Sequence, residues 1–444
     1  MAGGVNPPAH GRPAHFVAWI VGERVVRGAV TVVALAAVAR HLAPAGFGVL
    51  NFALALIGLA TPLAQLGLDA VLVRELVRYP SRTSALLGTS FALRLGAGAA
   101  FAAAVVGASH VSSVIGAAVP ALAPMSLILI AQAGEVADCW FRSRVQSRTV
   151  VVIRGSVIVL GAVAKLVLVA AGAGIVAFAW VYTVEAAVFV VGLVICSRTG
   201  ADPAPPWRIE GALASTLVRE AWGFAIAGFL AALAVRMDQI AVAGVLGDAP
   251  AGLYYGALRI MELPLLVATA TATALFPGLA IAEDNPVMHA RLETVFGMIS
   301  VVSWVTAIGA TLTGPWIVPL VLGGAYKAAW PVLVIHGWAA LFYYSGLVRA
   351  NYLALRNASG TQALAAGAAL GVQILCNYLL VPRFALVGAA TAFLLTQLFN
   401  AWVLPLLLPS LRPCLGLQAR GLLAPWRPGS WREFLLAAKG HGSA

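Results

Sequence analysis

Long apolar stretches, separated by short polar turns, follow one another along nearly the whole chain. Most have about twenty residues, enough for a helix to cross roughly 30 Å of hydrocarbon. Because lipid offers backbone amides no partner, such stretches must be helical. The pattern predicts twelve spans, over residues 16–39, 47–68, 84–107, 113–134, 149–171, 174–197, 217–247, 251–281, 292–313, 329–354, 360–381 and 385–408.

The predicted spans divide into two groups of six. A Pro-rich polar linker at 198–215 separates a first bundle within residues 1–197 from a second bundle at 216–408. A basic tail at 409–444 follows, with Trp426 and Trp431 among its arginines, and is predicted to be an amphipathic segment on the membrane surface. The expected fold class is therefore an all-α integral membrane protein with two six-helix bundles.

Composition agrees with this class, since 61% of the 444 residues are hydrophobic and 10% are charged. A soluble chain of this length needs more charge to cover its surface. The four cysteines are widely spaced and the seven histidines lack the HExxH pattern, so no metal site and no disulfide framework is expected. No catalytic residue is predicted.

The basic residues indicate how the chain is oriented. Of 28 Lys and Arg residues, seventeen fall in loops on one side, three on the other side and eight within spans. Basic loops stay in the cytoplasm, so both termini are expected there. The net charge of +12 is then mainly a signal of topology, with some attraction to anionic membrane lipids, and nucleic acid is not an expected partner.

A short internal repeat supports two related halves. Gly48 to Leu54 and Gly252 to Leu258 share a G-x4-A-L frame at a separation of 204 residues. Each segment opens the second helix of its half. Two bundles of the same orientation, related by a pseudo-two-fold axis, are a common plan among transporters.

Charges within the spans are the candidate functional groups. Eight are basic and four are acidic: Arg24, Arg27, Arg94, Arg154, Lys165, Arg236, Arg259 and Arg349, with Glu23, Glu185, Asp238 and Glu262. A charge in the bilayer costs a few kcal/mol, so each must face protein or water. Internal pairing is one interpretation, since Glu23 and Arg27, and Arg259 and Glu262, share helix faces. The surplus of cations favours a second interpretation, an anion that enters the bundle.

Several motifs resemble one bacterial family in order along the chain. They are Val38-Ala-Arg40-His-Leu-Ala-Pro44-Ala-Gly-Phe47-Gly48, Leu66-Gly-Leu-Asp69 with Val73-Arg-Glu-Leu76, Trp140-Phe-Arg142-Ser-Arg144, Arg236-Met-Asp238, Gly252-Leu-Tyr254, Ala257-Leu-Arg259-Ile and Pro319-Leu-Val-Leu-Gly323-Gly-Ala-Tyr326-Lys-Ala-Ala329. They resemble signatures of lipid-linked oligosaccharide flippases, the O-antigen and exopolysaccharide translocases of the multidrug/oligosaccharidyl-lipid/polysaccharide exporter superfamily. One position departs from the pattern, because Ala43 stands where the family has glycine.

The resemblance implies a function and a site. The expected protein lies in the bacterial inner membrane and moves an undecaprenyl-pyrophosphate-linked glycan outward by alternating access. Its helices one, seven and eight would line a central cavity, which makes Arg24, Arg27, Arg236 and Arg259 candidate substrate ligands, with Arg94 on helix three. Glu23, Asp238 and Glu262 are candidates for coupling to H⁺ or Na⁺, although the membrane potential alone could drive the step. Polysaccharide polymerase and export machinery are further expected partners.

Three alternatives stay open at this point. Two are a peptidoglycan-precursor flippase and a multidrug exporter of the same superfamily. The third is a membrane glycosyltransferase or polymerase that uses the same lipid. The enzyme is disfavoured because the outer loops are short and Asp248 is their one acid, and because DxD, GxSxG and P-loop patterns are absent from the sequence.

Overall fold

The computed structural model describes residues 13–109, 118–200, 202–280, 286–355 and 359–427. Within these ranges every regular element is a helix. The α-helices are α1 (Pro13–Ala64), α2 (Leu68–Arg78), α3 (Thr83–Ser109), α4 (Val119–Ala131), α5 (Val136–Ser143), α6 (Ser147–Ala170), α7 (Ile175–Thr199), α8 (Gly211–Leu246), α9 (Asp248–Ala280), α10 (Pro286–Leu322), α11 (Trp330–Leu355), α12 (Ser359–Leu398), α13 (Leu404–Leu407) and α14 (Arg412–Leu423).

Ten helical segments of the described chain are long and apolar enough to cross a membrane, so this is a multi-pass membrane protein. Two of them, Val30–Arg78 and Gly360–Leu407, have 49 and 48 residues, about twice the length that one crossing needs. Each contains a bend with non-helical backbone, at Ala43 in α1 and at Ala385 in α12. The sequence pattern places a break between spans at 40–46 and at 382–384, at or beside these bends.

The two copies of the G-x4-A-L frame lie against each other. A Cβ atom built on Gly48 would lie 2.9 Å from the backbone nitrogen of Gly252, and one built on Gly252 would lie 3.0 Å from that of Gly48. Each Cβ would also overlap a carbonyl oxygen, of Asp248 and of Pro44 respectively. Pro44 and Asp248 are themselves 204 residues apart, so the contact is reciprocal and joins α1 to α9.

The same relation extends to the turn before each frame. Ala43 has φ 56° and ψ 173°, and Gly247, which lies 204 residues later, has φ 86° and ψ −173°. This backbone region is essentially restricted to glycine and costs other residues about 1–3 kcal/mol. Ala43 therefore adopts the glycine-like turn despite its side chain, and the departure from the family pattern leaves the turn in place.

The main hydrophobic core lies where α1 meets helices of the second half. Phe47, Tyr254 and Tyr326 are fully buried in it. The Tyr326 hydroxyl donates to the Ala39 carbonyl at 3.0 Å, and the Arg40 Nε donates to the Val321 carbonyl at 2.9 Å. Aromatic packing and hydrogen bonds thus hold the bend of α1 against the end of α10.

Two segments outside the long helices are also held in place. Between α7 and α8, the backbone nitrogens of Arg208 and Glu210 donate to Ser84 and Thr89 of α3 at 3.0 and 2.9 Å. In the basic tail, α14 buries Cys414 and Leu417 in a second core cluster. Trp304 of α10 donates to the Leu422 carbonyl at 3.0 Å, which anchors this helix. Residues 428–444 of the predicted tail lie outside the described ranges.

Candidate functional site

The second half of the chain encloses a cavity of about 440 Å³ between α8, α9, α11 and α12. Its polar lining combines three charged side chains (Asp238, Glu262 and Arg349), one histidine (His336) and eight neutral hydrogen-bonding side chains: Gln239, Tyr343, Tyr344, Gln362, Gln373, Thr396, Gln397 and Asn400. On α12, Gln362 and Gln373 share one face with Ala366 and Ala369, since their spacings of four, three and four residues follow the helical repeat.

Asp238 lies at the buried wall of this cavity and joins three helices. It accepts a 2.5 Å hydrogen bond from the Tyr254 hydroxyl of α9, and His336 Nε2 of α11 lies 3.9 Å away. His336 Nε2 is also 3.3 Å from the same hydroxyl. His336 Nδ1 donates to the Val332 carbonyl at 3.0 Å, because a carbonyl can only accept. Asp238, one of the three predicted coupling carboxylates, therefore forms a polar network with Tyr254 and His336.

Arg259 connects the two halves of the chain. Its Nη1 donates to Glu262 at 2.5 Å and its Nη2 donates to the Asn51 side-chain oxygen of α1 at 3.1 Å. Arg259 and Glu262 thus form the intrahelical pair that their spacing predicts. Glu262 lines the cavity with 42% of its side chain exposed, so the pair is open to solvent on one side.

Arg236 is the described candidate with least compensation. It is partly buried on α8, and its guanidinium covers Gly58 of α1, where a Cβ atom would lie 2.5 Å from Nη2. Within the described ranges, its guanidinium has no carboxylate or hydrogen-bond partner. Arg259 and Glu262 are close enough to act on it electrostatically. Glu262 therefore pairs with Arg259 and leaves Arg236 without a direct carboxylate partner among the described residues.

Arg94 lies in the first half, apart from this cavity. It is 1% exposed, and its Nη2 donates to Asp69 at 2.8 Å. The Cys139 thiol also approaches this carboxylate, at 3.5 Å. Arg94 Nε and Nη1 are buried without a hydrogen-bond partner among the described residues. The structure thus brings Arg236, Arg259, Asp238 and Glu262 together and places Arg94 in a separate cluster.

Three further acids in the membrane were missed by the sequence analysis. Asp69, Glu135 and Asp138 all lie in candidate spans, and Glu135 accepts a hydrogen bond from Gln65 at 3.1 Å. The predicted second and fourth spans ended at residues 68 and 134, so these acids were treated as loop residues. Of these acids, Asp69 is the partner of the buried Arg94. The signal that could have found them is the aromatic-rich sequence after Glu135, which continues the helix.

The remaining charges lie as follows. Lys165 pairs with Glu185 at 2.6 Å, and Arg154 stacks over the Phe189 ring at 4.3 Å. Arg349 is 3% exposed and donates twice to Asn400, at 2.5 and 2.7 Å. Glu23, Arg24 and Arg27 belong to a part of α1 whose side chains lie outside the described residues.

Part of the cavity wall is aromatic. The ring of His336 stacks on Phe393 with centroids 4.9 Å apart, and Tyr343 meets the same phenylalanine edge-on at 5.9 Å. Gln373 is 2% exposed and its Nε2 has no hydrogen-bond partner among the described residues. In the same ranges, no group of three His, Cys, Asp or Glu side chains is arranged to hold a metal ion.

The fold is similar to that of several solved transporters and flippases. An inward-facing multidrug-resistance transporter of the MATE family in the MOP superfamily has a TM-score of 0.65 at 12% identity, covering 97% of this chain and 100% of that one. The lipid II flippase MurJ in an inward closed conformation has a TM-score of 0.62 at 11% identity, over 97% and 96%. A MOP-superfamily transporter from Pyrococcus furiosus has a TM-score of 0.59 at 13% identity, over 97% of both chains.

The sequence itself identifies the family. The family model described as polysaccharide biosynthesis protein matches residues 37–331, more than half of the chain. This protein therefore belongs to the polysaccharide biosynthesis family, and its fold is that of the MOP-superfamily transporters and flippases. No curated protein sequence matches the chain.

Proposed function

We propose that the protein flips an undecaprenyl-pyrophosphate-linked oligosaccharide from the cytoplasmic to the outer leaflet of the bacterial inner membrane, for synthesis of a surface polysaccharide such as O-antigen or exopolysaccharide. Family membership supports the polysaccharide pathway, and the fold supports transport. The observation that carries the anionic substrate is the uncompensated Arg236 guanidinium beside Arg259.

The physical argument is one of charge balance in a low-dielectric environment. A guanidinium withdrawn from water needs an anion or several acceptors to offset its lost hydration. Arg236 has neither among the described residues, and the neighbouring Glu262 is already bonded to Arg259. A pyrophosphate group supplies several acceptor oxygens, which two adjacent arginines can bind with parallel donors. In the proposed complex, the pyrophosphate rests between Arg236 and Arg259.

The glycan requires the polar cavity as well. Hydroxyl groups that enter hydrocarbon without hydrogen-bond partners cost roughly 2–7 kcal/mol each, so a glycan does not cross a bilayer unaided at a useful rate. A cleft with polar walls removes this barrier while the polyprenyl chain stays in lipid. In our proposal one bundle rocks against the other and exposes the cleft first to the cytoplasm and then to the outside.

This mechanism needs two comparable bundles, and we propose twelve spans with both termini in the cytoplasm. The bends at Ala43 and Ala385 support that number, because each divides one of the two longest helical segments into two crossings. The reciprocal contact of Gly48 and Gly252 supports a pseudo-two-fold relation between the bundles. The boundaries of the two bundles remain those of the sequence prediction, 1–197 and 216–408.

The driving force does not require a coupled ion. Outward movement of a negative charge from an inside-negative cell is favourable by about 2.3 kcal/mol per charge at 100 mV. If an ion is used, Asp238 is the best-placed of the proposed coupling carboxylates that are described, because it lies in the cavity wall and contacts both Tyr254 and His336. Glu262 is committed to Arg259.

The alternatives differ in what they demand of the site. A peptidoglycan-precursor flippase would use the same pyrophosphate contacts, so this alternative remains open. An exporter of organic cations is disfavoured, because the uncompensated Arg236 would repel a cationic substrate. We propose no catalysis, because the cavity carboxylates Asp238 and Glu262 are engaged with Tyr254 and Arg259.

The arginine variants provide the test in cells. Arg236→Gln and Arg259→Gln alleles should lower surface polysaccharide roughly 10-fold or more, since each removes a charged hydrogen-bond donor to the substrate. Arg412→Gln is the control, because Arg412 is exposed near the tail and donates only a long bond to the Leu406 carbonyl. Membrane levels are measured in parallel. Wild-type export by both cavity variants at equal protein levels would contradict the proposal.

A further inference from the structure

The cavity itself is poorly suited to the pyrophosphate. Its lining contains two carboxylates, Asp238 and Glu262, and one cation, Arg349. Both terminal nitrogens of Arg349 are already bonded to Asn400. A polyanion would therefore meet two acids here and one guanidinium of which only Nε lacks a partner among the described residues. The cavity lining therefore differs in chemistry from the neighbouring cationic pair Arg236 and Arg259.

The neutral polar groups of the lining form a different kind of surface. Five of them are carboxamides, contributed by α8, by α12 and by the turn that follows it: Gln239, Gln362, Gln373, Gln397 and Asn400. A carboxamide carries both donors and acceptors, as a sugar hydroxyl does, so a carboxamide and a hydroxyl can bond in either direction. Such a concentration within a membrane bundle is costly unless a polar ligand uses it.

One of these carboxamides has a buried nitrogen without a partner among the described residues. Gln373 is 2% exposed, and its Nε2 group donates to no described residue although it lies in the cavity lining. Buried polar groups are normally hydrogen-bonded, and an exception at a cavity wall points to a ligand. Phe393 and Tyr343, which also line the cavity, provide an apolar surface on which the carbon face of a pyranose ring can pack.

From these features we infer that the cavity is the binding site for the first sugars of the lipid-linked glycan, with Gln373 as a hydrogen-bond donor to a sugar oxygen. The inference rests on the proposed function and divides its site into two parts: Arg236 and Arg259 hold the pyrophosphate, and the cavity reads the sugar. The volume of about 440 Å³ lies within the usual range for small-ligand pockets and suits a mono- or disaccharide.

The internal repeat supports a ligand-related role for these polar groups. At 204 residues before Asp238 and Gln239, the first half has Ala34 and Leu35. The same helical position can thus be built with apolar side chains. The polar residues of the second half are therefore not demanded by the packing of the bundle.

The test measures binding to the full-length protein in lipid nanodiscs with two kinds of probe. One is undecaprenyl pyrophosphate without sugar, and the others carry N-acetylglucosamine, glucose or galactose on the pyrophosphate. Wild-type protein should bind at least one sugar-bearing probe more tightly than the sugar-free probe. In Gln373→Leu this preference should fall about 5-fold, the effect of one neutral hydrogen bond. Binding of the sugar-free probe should not change.

Gln418→Leu is the matched control. Gln418 is 4% exposed and both its side-chain polar atoms lack partners among the described residues, but it lies on α14 and does not line the cavity. It should keep the wild-type preference. Gln362→Leu, which alters the same face of α12 as Gln373, should reduce the preference and replaces Gln373→Leu if that variant does not fold.

The outcomes separate the two proposals. If wild-type protein binds the sugar-bearing and sugar-free probes equally, or if both glutamine variants keep the wild-type preference, the sugar site is wrong while the flippase proposal stands. A change in Na⁺ dependence of binding without loss of sugar preference in Gln373→Leu would assign the cavity to a cation and also overturn the inference. If wild-type protein binds none of the probes, the proposed function itself is contradicted.

Discussion

Two adjacent tyrosines on α9 have opposite environments. Tyr254 is fully buried and its hydroxyl connects Asp238 to His336. Tyr255 is 3% exposed, and its hydroxyl has no hydrogen-bond partner among the described residues. Removal of a tyrosine hydroxyl should lower the stability of the protein only where it leaves another buried polar group without its hydrogen-bond partner. The pair therefore tests whether the network around Asp238 stabilises the second half.

We predict that Tyr254→Phe destabilises the protein by about 1–3 kcal/mol, because Asp238 loses its hydrogen-bond donor. Tyr255→Phe should be close to neutral. Thermal unfolding of the purified protein, followed with a thiol-reactive dye, measures both, since the buried thiols of Cys139 and Cys414 become accessible to the dye on unfolding. Equal melting temperatures for the two variants would contradict the assigned role of Tyr254.

At the scale of single residues, the sequence identified candidate site residues better than it identified the side chains that contact them. Arg259 and Glu262 were recognised because a spacing of three residues places them on one helix face. The partners of Asp238 were not, because His336 lies 98 residues away in sequence and only tertiary packing brings the two together. Asp69, Glu135 and Asp138 were missed because an acid at the end of an apolar stretch looks like a loop residue.

Among the helices, α1 and α9 approach each other closely at the repeated G-x4-A-L frame. The repeated G-x4-A-L frame indicated two related segments, and the structure places Gly48 and Gly252 against each other's backbone. Glycine is needed because the helix axes approach too closely for a Cβ atom. The frame could not reveal that its two copies touch, since a repeat reports similarity and not proximity.

We expect Gly48→Ala and Gly252→Ala each to destabilise the protein by about 1–3 kcal/mol, as overpacking does where backbone blocks the new methyl group. Gly244→Ala on α8 is the control, because a Cβ atom there meets nothing within 4 Å. That variant should be neutral or slightly stabilising, by up to about 1 kcal/mol, since alanine favours a helix interior. Equal melting temperatures for the three variants would contradict the close approach of α1 and α9.

The helix boundaries were also only partly predictable from hydropathy. Hydropathy placed breaks near Ala43 and Ala385, but it did not show that the chain remains nearly helical through both. Pro44 and Pro382 lie beside the bends, and hydropathy carries no information on how proline alters backbone direction. The tail was predicted to be amphipathic, whereas its packing of Cys414 and Leu417 against α10 required the folded chain.

For the whole molecule, the charges of the two halves differ in kind. In the first half the described cation Arg94 is paired with Asp69, in a cluster with Glu135 and Asp138 nearby. In the second half, Glu262 pairs with Arg259 beside the cavity, and Arg236 has no carboxylate partner among the described residues. At 204 residues before Arg236, Arg259 and Glu262, the first half has Val32, Ala55 and Gly58. The repeat therefore supplies the framework, and the second half supplies the groups that we propose to bind the substrate.

The most direct measurement follows a lipid-linked probe across a membrane. Wild-type protein is reconstituted in vesicles with fluorescent undecaprenyl-pyrophosphate-linked N-acetylglucosamine, glucose or galactose, and a membrane-impermeant quencher reports the probe in the outer leaflet. We predict flipping of at least one probe well above that of protein-free vesicles, faster when the interior is made negative and roughly 10-fold slower in Arg236→Gln. Flipping at the protein-free rate for every probe would contradict the account.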